Sequence, residues 1–446
     1  MTTINEILAK AKEADVKLVR FLYTDNDGII RARASGIGSL KGDVVSGLGG
    51  SIAVPFFGVP DTMSPYTRFG AIGELRTVPD LNTFKVIPYA RNAAIMMCDM
   101  LNYEHEDSGQ CARTALKRLL KGSGFDINAS FENEFYLVNE NPDGSISPFD
   151  QTRIFTSTGM QNAHDIVLDI IEALEAQSIT VEKYYKEYGP GQQEIVCRYA
   201  NALQACDNQV MFKETARNVA QKHGVVATFM PKPFNGAASS GVHVHVSLWK
   251  DGQNAFYDPS KPNCFSELGT FFVGGILKHV KALCLMTAPT INSYKRLVPG
   301  AWAAAYACYG FDNKEAGVRI CSSQKGREAE TLNIEFKAPD GTCNPYLALL
   351  GIIAAGLDGI KNKIDPGEPL QVEPATLSEE ERKARGIVPY PATLKEAIDA
   401  FETSTLYKDV LGDLFFEEFI GMKKFSWEQF NTTVSDWEIQ KYLKAF

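Results

Sequence analysis

At 446 residues, with 45% apolar and 22% charged side chains, the chain is too long for one core and reads as a globular protein of two or more domains. A net charge of −9 with no Lys/Arg-rich block argues against a nucleic-acid or anionic-membrane partner. Nine cysteines without a CxxC pair argue against a disulfide framework or structural zinc. The opening Met1-Thr2-Thr3-Ile4-Asn5-Glu6 lacks a secretory pattern, so the expected compartment is the cytoplasm.

Residues 16–22, 29–34 and 94–99 have strand character, and Asp25-Asn26-Asp27-Gly28 is a four-residue hairpin signal. A Gly-rich loop at 46–51 and a Pro-rich stretch at 55–65 complete a small β-rich domain over residues 1–103. From 104 to 446 the texture changes to strands in near-consecutive pairs with helices between them, which predicts an α+β domain: an antiparallel sheet with helices packed on one side. Helices are predicted at 111–121, 164–176, 203–222 and from 346, and strands at 181–187, 192–199, 225–230, 242–248 and 332–337. The apolar stretch 268–286 is interrupted by Lys278, His279 and Lys281 and does not read as a membrane span. Residues 362–391, rich in Pro, Glu and Lys, read as an exposed excursion, and three amphipathic helices are expected to finish the chain.

Two strand-like runs carry the chemistry. Glu132 and Glu134 alternate with Phe131 and Phe135, and His243 and His245 alternate with Val242, Val244 and Val246. Residues at i and i+2 on a strand share a face, so each run presents two metal-capable groups side by side. Alternating charge is ordinarily a solvated strand face; the histidine pair is the better signal, because the chain has only 6 histidines. Glu187 and Glu194 bracket a tight Gly-Pro-Gly loop, and Glu335 sits between Ile334 and Phe336. Five glutamates converging with a histidine repel one another unless cations neutralise them, and so oxygen-rich a ligand set suits Mg²⁺ or Mn²⁺. Arg296, before a Pro-Gly turn, and Arg319, in an apolar run, supply positive charge. Metals with arginines around one cavity fit phosphoryl transfer, and no P-loop is present.

Taken in order, these runs resemble the glutamine synthetase superfamily. The resemblance rests on Glu132-Asn133-Glu134-Phe135, Gly191-Gln192-Gln193-Glu194, Gly241-Val242-His243-Val244-His245-Val246-Ser247-Leu248, Asn292-Ser293-Tyr294-Lys295-Arg296-Leu297-Val298-Pro299-Gly300 and Asn344-Pro345-Tyr346-Leu347. It implies a β-grasp N-terminal domain, a glutamine synthetase catalytic domain and a dodecamer of two hexameric rings. By position, Glu134, Glu187 and Glu194 hold one divalent metal, and Glu132, His243 and Glu335 another. His245, Ser247 and Asn333 fall at ATP-side positions; Arg296, Lys337 and Ser239 at glutamate-binding positions; Arg296, Arg319 and Lys314 at catalytic ones. The implied reaction phosphorylates the γ-carboxylate of glutamate with ATP, after which an amine displaces phosphate.

The chain departs from this pattern where ammonium is handled. The family's Gly-Phe-Asp-Gly-Ser-Ser-Ile is similar to Gly47-Leu48-Gly49-Gly50-Ser51-Ile52, with Gly49 at the aspartate. Its Tyr-Glu-Ala-Pro is similar to Ala301-Trp302-Ala303-Ala304, with Trp302 at the glutamate. Glycine opens space and tryptophan supplies an apolar face, so the amine pocket is expected to take a hydrophobic aryl or alkyl amine, as in the γ-glutamylmethylamide synthetase branch that the Met230-Pro231-Lys232-Pro233-Phe234 run also resembles. An ordinary ammonia-using glutamine synthetase and a catalytically silent homologue are the alternatives.

Overall fold

The computed structural model describes residues 2–446. The chain opens with the helix Ile4–Glu13, capped by a reciprocal Thr3–Glu6 box. Ile7 and Ala11 on this helix pack against Val19, Phe21, Ala94 and Met96 of a six-stranded sheet. Strand order runs Ile30–Gly36, Leu18–Thr24, Ala93–Leu101, Glu74–Pro79, Leu48–Ser51, with Lys85–Val86 also beside Ala93–Leu101. Only Leu18–Thr24 and Ala93–Leu101 run parallel. A parallel central pair, an antiparallel hairpin at its side and one covering helix make the β-grasp arrangement.

The first turn differs from a four-residue exposed hairpin. Thr24 pairs with Ile30, leaving five bridging residues, and Asp25, Asn26 and Asp27 are buried. Asn26 Nδ2 donates to Gln110 O at 3.0 Å, Asn344 Nδ2 donates to Asp25 O at 2.9 Å, and Asp27 pairs with Lys423. A polar turn is tolerated inside because later parts of the chain supply hydrogen-bonding partners.

An eleven-stranded sheet forms the second unit. Its main path is Tyr309–Phe311, Val318–Ile320, Ile334–Phe336, Val242–Lys250, Asp126–Glu140, Gln192–Cys197, Val181–Lys186. Every neighbouring pair on this path is antiparallel except Tyr309–Phe311 with Val318–Ile320, which is parallel. The helix Ala202–Lys222 covers one face, where Phe135 packs on Phe212 and Phe229. Behind it, Glu267–Thr287 and Pro345–Asn362 touch backbone to backbone: a Cβ on Gly275 would sit 2.0 Å from Ala355 O, and one on Gly359 2.0 Å from Phe271 O. Glu267–Thr287 is long and apolar enough to cross a membrane, but Val273, Ile276, Val280 and Leu283 are buried in the protein core.

Residues 362–391 are largely exposed, as expected, but they are anchored: Leu370 and Ile387 are buried with Cys308 and Ala316, and Val388–Pro389 pairs with Tyr306–Ala307. Four helices, not three, end the chain, because Gly412 at φ 83° separates Thr405–Leu411 from Asp413–Thr432.

Candidate active site

Alternation along Asp126–Glu140 buries Phe131 and Phe135 against the helices and turns Glu132 and Glu134 to the opposite face. Sheet register then assembles the rest. Glu134 lies opposite Glu194, Glu132 opposite His243, His245 opposite Glu335, and Glu335 opposite Arg319. Directly opposed residues share a face, so five strands place seven charge-bearing side chains in one polar row. Glu187 follows the last residue of Val181–Lys186, and the loop after it is fixed by buried Lys186, whose Nζ donates to Glu187 O at 2.9 Å and Gly189 O at 2.7 Å.

The groups touch. His243 Nδ1 is 3.1 Å from Glu335 Oε1 and 3.3 Å from Glu132 Oε2, and His245 Nε2 is 3.5 Å from the same Glu132 oxygen. Lys337 Nζ donates to Glu335 Oε1 at 3.4 Å. Glu134 Oε2 accepts from Gly241 N at 2.8 Å and from Gln192 Nε2 at 3.4 Å. Electrostatics divide the row. Burial works against ionising Glu132, but hydrogen bonds from His243 and His245 outweigh it and hold its carboxyl well below the usual range. Burial likewise opposes the charge on Glu335, and Lys337 and His243 overcome it. Glu194 has no such cation: burial and the negative charges of Glu132, Glu134 and Glu187 push it up to about 10, and Glu187 is raised by burial and by Glu134.

These residues fit a divalent cation. Glu335 Oε2, fully buried, lies 2.8 Å from Arg319 Nε but off the hydrogen-bond axis, so neither atom has an aligned partner. Ligand atoms of Glu132, His245 and Glu335 come within 4.8 Å of one another. The sequence reading gave His243 to a metal and His245 to the nucleotide side. In the structure both imidazoles share one carboxylate nest, because both stand on the face that Glu132 and Glu335 occupy.

Arg296 is 2% exposed and has no carboxylate partner among the described residues. Its Nη1 donates to Ala338 O and its Nη2 to Lys337 O, each at 2.8 Å. A Cβ on Gly241 would sit 2.5 Å from Arg296 Nη2 and 2.7 Å from His243 Nε2, so glycine alone leaves the gap between guanidinium and imidazole open. A buried guanidinium held only by carbonyls is a socket for an anion.

The remaining residues separate. Asn333 Oδ1 lies 2.9 Å from His245 Nδ1, and Ser247 Oγ accepts from Trp249 Nε1. Ser239 O accepts from Gln192 Nε2 at 3.1 Å, beside Glu134. Lys314 turns away from the carboxylates and sits 5.8 Å above the Trp302 ring. Trp302 is 67% exposed at φ 53°, on a cavity of about 360 Å³ formed with Phe311, Glu315 and Val372. The space expected over Gly49 is not open. Gly49 pairs opposite Arg76, and a Cβ there would meet Arg76 Nη1 and Glu74 Oε1 at 3.0 Å. Within one chain Gly49 does not line the Trp302 cavity.

Three residues escaped the sequence reading. Gly241 was quoted in a motif without a role. Cys321, 3.8 Å from His245 Nδ1, gave no pattern signal. Glu315 matters most: its Oε1 accepts the Trp302 N–H at 2.7 Å, so a carboxylate does reach the loop from which the family's acid is missing. Its place directly after Lys314 was the available signal.

A β-grasp unit joined to a large sheet, one face of which carries acids, imidazoles and guanidinium groups, has the makings of a metal-dependent enzyme acting on anions, and the family comparison makes it an ATP-dependent ligase. Residues 3–111 match the glutamine synthetase N-terminal domain and residues 106–442 the glutamine synthetase catalytic domain. The chain belongs to the glutamine synthetase family, whose members use ATP and divalent metals on small-molecule substrates. It is 36% identical to the glutamine synthetase of Methanocaldococcus jannaschii, over 99% of this chain and 98% of that one, and 39% identical to that of Thermotoga maritima, over 82% and 84%. Among solved structures it is similar to GmaS, a γ-glutamylmethylamide synthetase, in complex with ADP (TM-score 0.86, 27% identity, 99% and 100% coverage) and to a glutamine synthase homolog (TM-score 0.83, 31% identity, 94% and 96% coverage).

Proposed function

We propose that the protein is an ATP-dependent glutamate–amine ligase that forms a γ-glutamyl amide, with a hydrophobic amine as nucleophile. Glu134, Glu187 and Glu194 would hold one Mg²⁺ or Mn²⁺, and Glu132, Glu335 and an imidazole of His243 or His245 another. Bound there, divalent cations neutralise the carboxylate row and draw charge from the terminal phosphate of ATP. Arg296, with Lys337 and Ser239 nearby, orients glutamate, and Arg319 meets the phosphoryl group. A γ-carboxylate oxygen attacks the terminal phosphorus and ADP leaves. The amine nitrogen then attacks the acyl carbon, its N–H proton is lost to base and phosphate departs. His245, Asn333 and Ser247 serve the nucleotide side. Completion of each site by Gly49 of a neighbouring subunit, in a dodecamer of two hexameric rings, is part of this proposal, as is a cytoplasmic location.

The carrying observation is Trp302, an exposed indole on a cavity that it lines with Phe311 and Val372 among the polar residues Asp312, Asn313, Lys314, Glu315, Gln371 and Glu373; the indole would carry the apolar body of an amine once the Lys314 side chain above the ring gives way. ADP release with glutamate and a panel of aryl and alkyl amines tests it: several organic amines should exceed ammonia in kcat/KM, and ammonia exceeding all of them sinks the reading. Ordinary glutamine synthetase is the second reading, favoured by Glu315, a carboxylate able to take a proton from ammonium.

A further inference from the structure

Alternation sends Phe135 and Leu137 to the sheet face opposite the carboxylate row, toward the helix Ala202–Lys222. There a cavity of about 810 Å³ lies between that helix, the segment 225–231, residues 341–342 and the turn after Thr24. No residue of the carboxylate row lines it. Its apolar wall is Ile29, Val59, Val225, Ala227, Phe229 and Pro231.

Two cations enter from one side of the helix, one turn apart. Lys213 is 3% exposed, and its Nζ donates to Gly341 O at 2.7 Å. It lies 5.8 Å from the Phe229 centroid, and the Arg217 guanidinium lies 5.4 Å from the same ring. Neither forms an ion pair among the described residues; Glu214, in the same turn, acts on both only through space, as buried Asp340 does on Lys213. Asp27 on the cavity wall is engaged by Lys423 and Val59 N, and Glu140 is exposed at the strand end. Burial, with repulsion from Arg217, brings the Lys213 ammonium down to about 8. A buried cation with no carboxylate in direct contact costs the protein that keeps it, and nothing in the catalytic arrangement uses this one.

We propose that this cavity is a second ligand site that takes a small organic anion, its carboxylate meeting Lys213 and Arg217 and its apolar body lying on Phe229. Benzoate is the probe and benzamide its neutral counterpart, used with the full chain in thermal unfolding and calorimetric titration. Benzoate should raise Tm with the logarithm of its excess over Kd, by about 2 °C near tenfold excess, and saturate in the calorimetric titration, and benzamide should do neither. Arg217→Gln should weaken benzoate about tenfold. Lys213→Met should raise the Tm of the unliganded protein and remove the benzoate response, and Arg296→Gln should retain that response, which separates the cavity from the catalytic guanidinium. Equal effects of benzoate and benzamide, unchanged affinity in Arg217→Gln, or loss of the response in Arg296→Gln overturns the proposal. Arg217 is exposed, so its variant carries the test if Lys213→Met fails to fold.

Discussion

Arg113 and Arg296 are equally buried, at 2% exposure, and opposite in surroundings. Arg113 donates to Asp207 through Nε and Nη2 at 2.9 and 2.8 Å, to Asp99 at 2.9 Å and to Asp80 at 2.9 Å. Two of these acids belong to the N-terminal sheet region and one to the helix Ala202–Lys222, so Arg113 rivets the two units together. Arg296 meets only carbonyls. A buried arginine whose charge is already matched holds a fold; one whose charge is unmatched waits for a ligand.

Substitution should separate the two. Arg296→Leu is expected to lower kcat/KM for glutamate by about 10³-fold, read by phosphate release, with Tm unchanged or raised. A parallel fall in Tm would place Arg296 with Arg113. Arg113→Met, which leaves buried Asp207 with only the Tyr346 hydroxyl and Asp99 and Asp80 with only Lys117 as a cation, should cost about 3–5 kcal/mol in denaturant unfolding while the folded fraction keeps its specific activity. Gly241→Ala pushes a methyl between Arg296 and His243 and should cost about 10²-fold in kcat, with Tm little changed.

The same contrast between matched and unmatched charge has a pH signature. Glu194 has a folded pKa raised to about 10, above its ordinary value. Its contribution to stability is therefore fully present below the ordinary carboxylate range and is lost as pH rises towards 10. Metal-free protein should lose stability over that window, by at most about 1.4 kcal/mol per pH unit from this group, and Glu194→Gln should flatten the slope. Mg²⁺ or Mn²⁺ competes with that proton, so metal affinity should rise with pH and binding should release a proton, measurable by calorimetry in buffers of different ionisation enthalpy. The smallest effect concerns the loop: Trp302→Glu should shift the preference between ammonia and a hydrophobic amine about tenfold towards ammonia.

What could be read from the sequence follows the same physics. Period-two alternation fixes which face a strand residue takes, so Glu132 with Glu134 and His243 with His245 could be placed on one side before any pairing was known. The α+β class and a β-rich start were legible for the same reason, whereas the β-grasp arrangement came only from the resemblance to the glutamine synthetase superfamily. Pairing between distant strands is not written locally, so the shared nest of both histidines around Glu132 was missed. Loop geometry is less visible still. The side chains closing over Gly49, the reach of Glu315 to the Trp302 N–H and the burial of Asp25 to Asp27 all depend on partners remote in sequence or on backbone turns that composition does not specify.

A competition experiment reaches the central claim most directly. With ATP, glutamate, Mg²⁺ and equimolar ammonia and a hydrophobic amine, the products are separated by mass spectrometry. The γ-glutamyl amide should exceed glutamine for at least one aryl or alkyl amine; glutamine as the sole product across the whole panel contradicts the account.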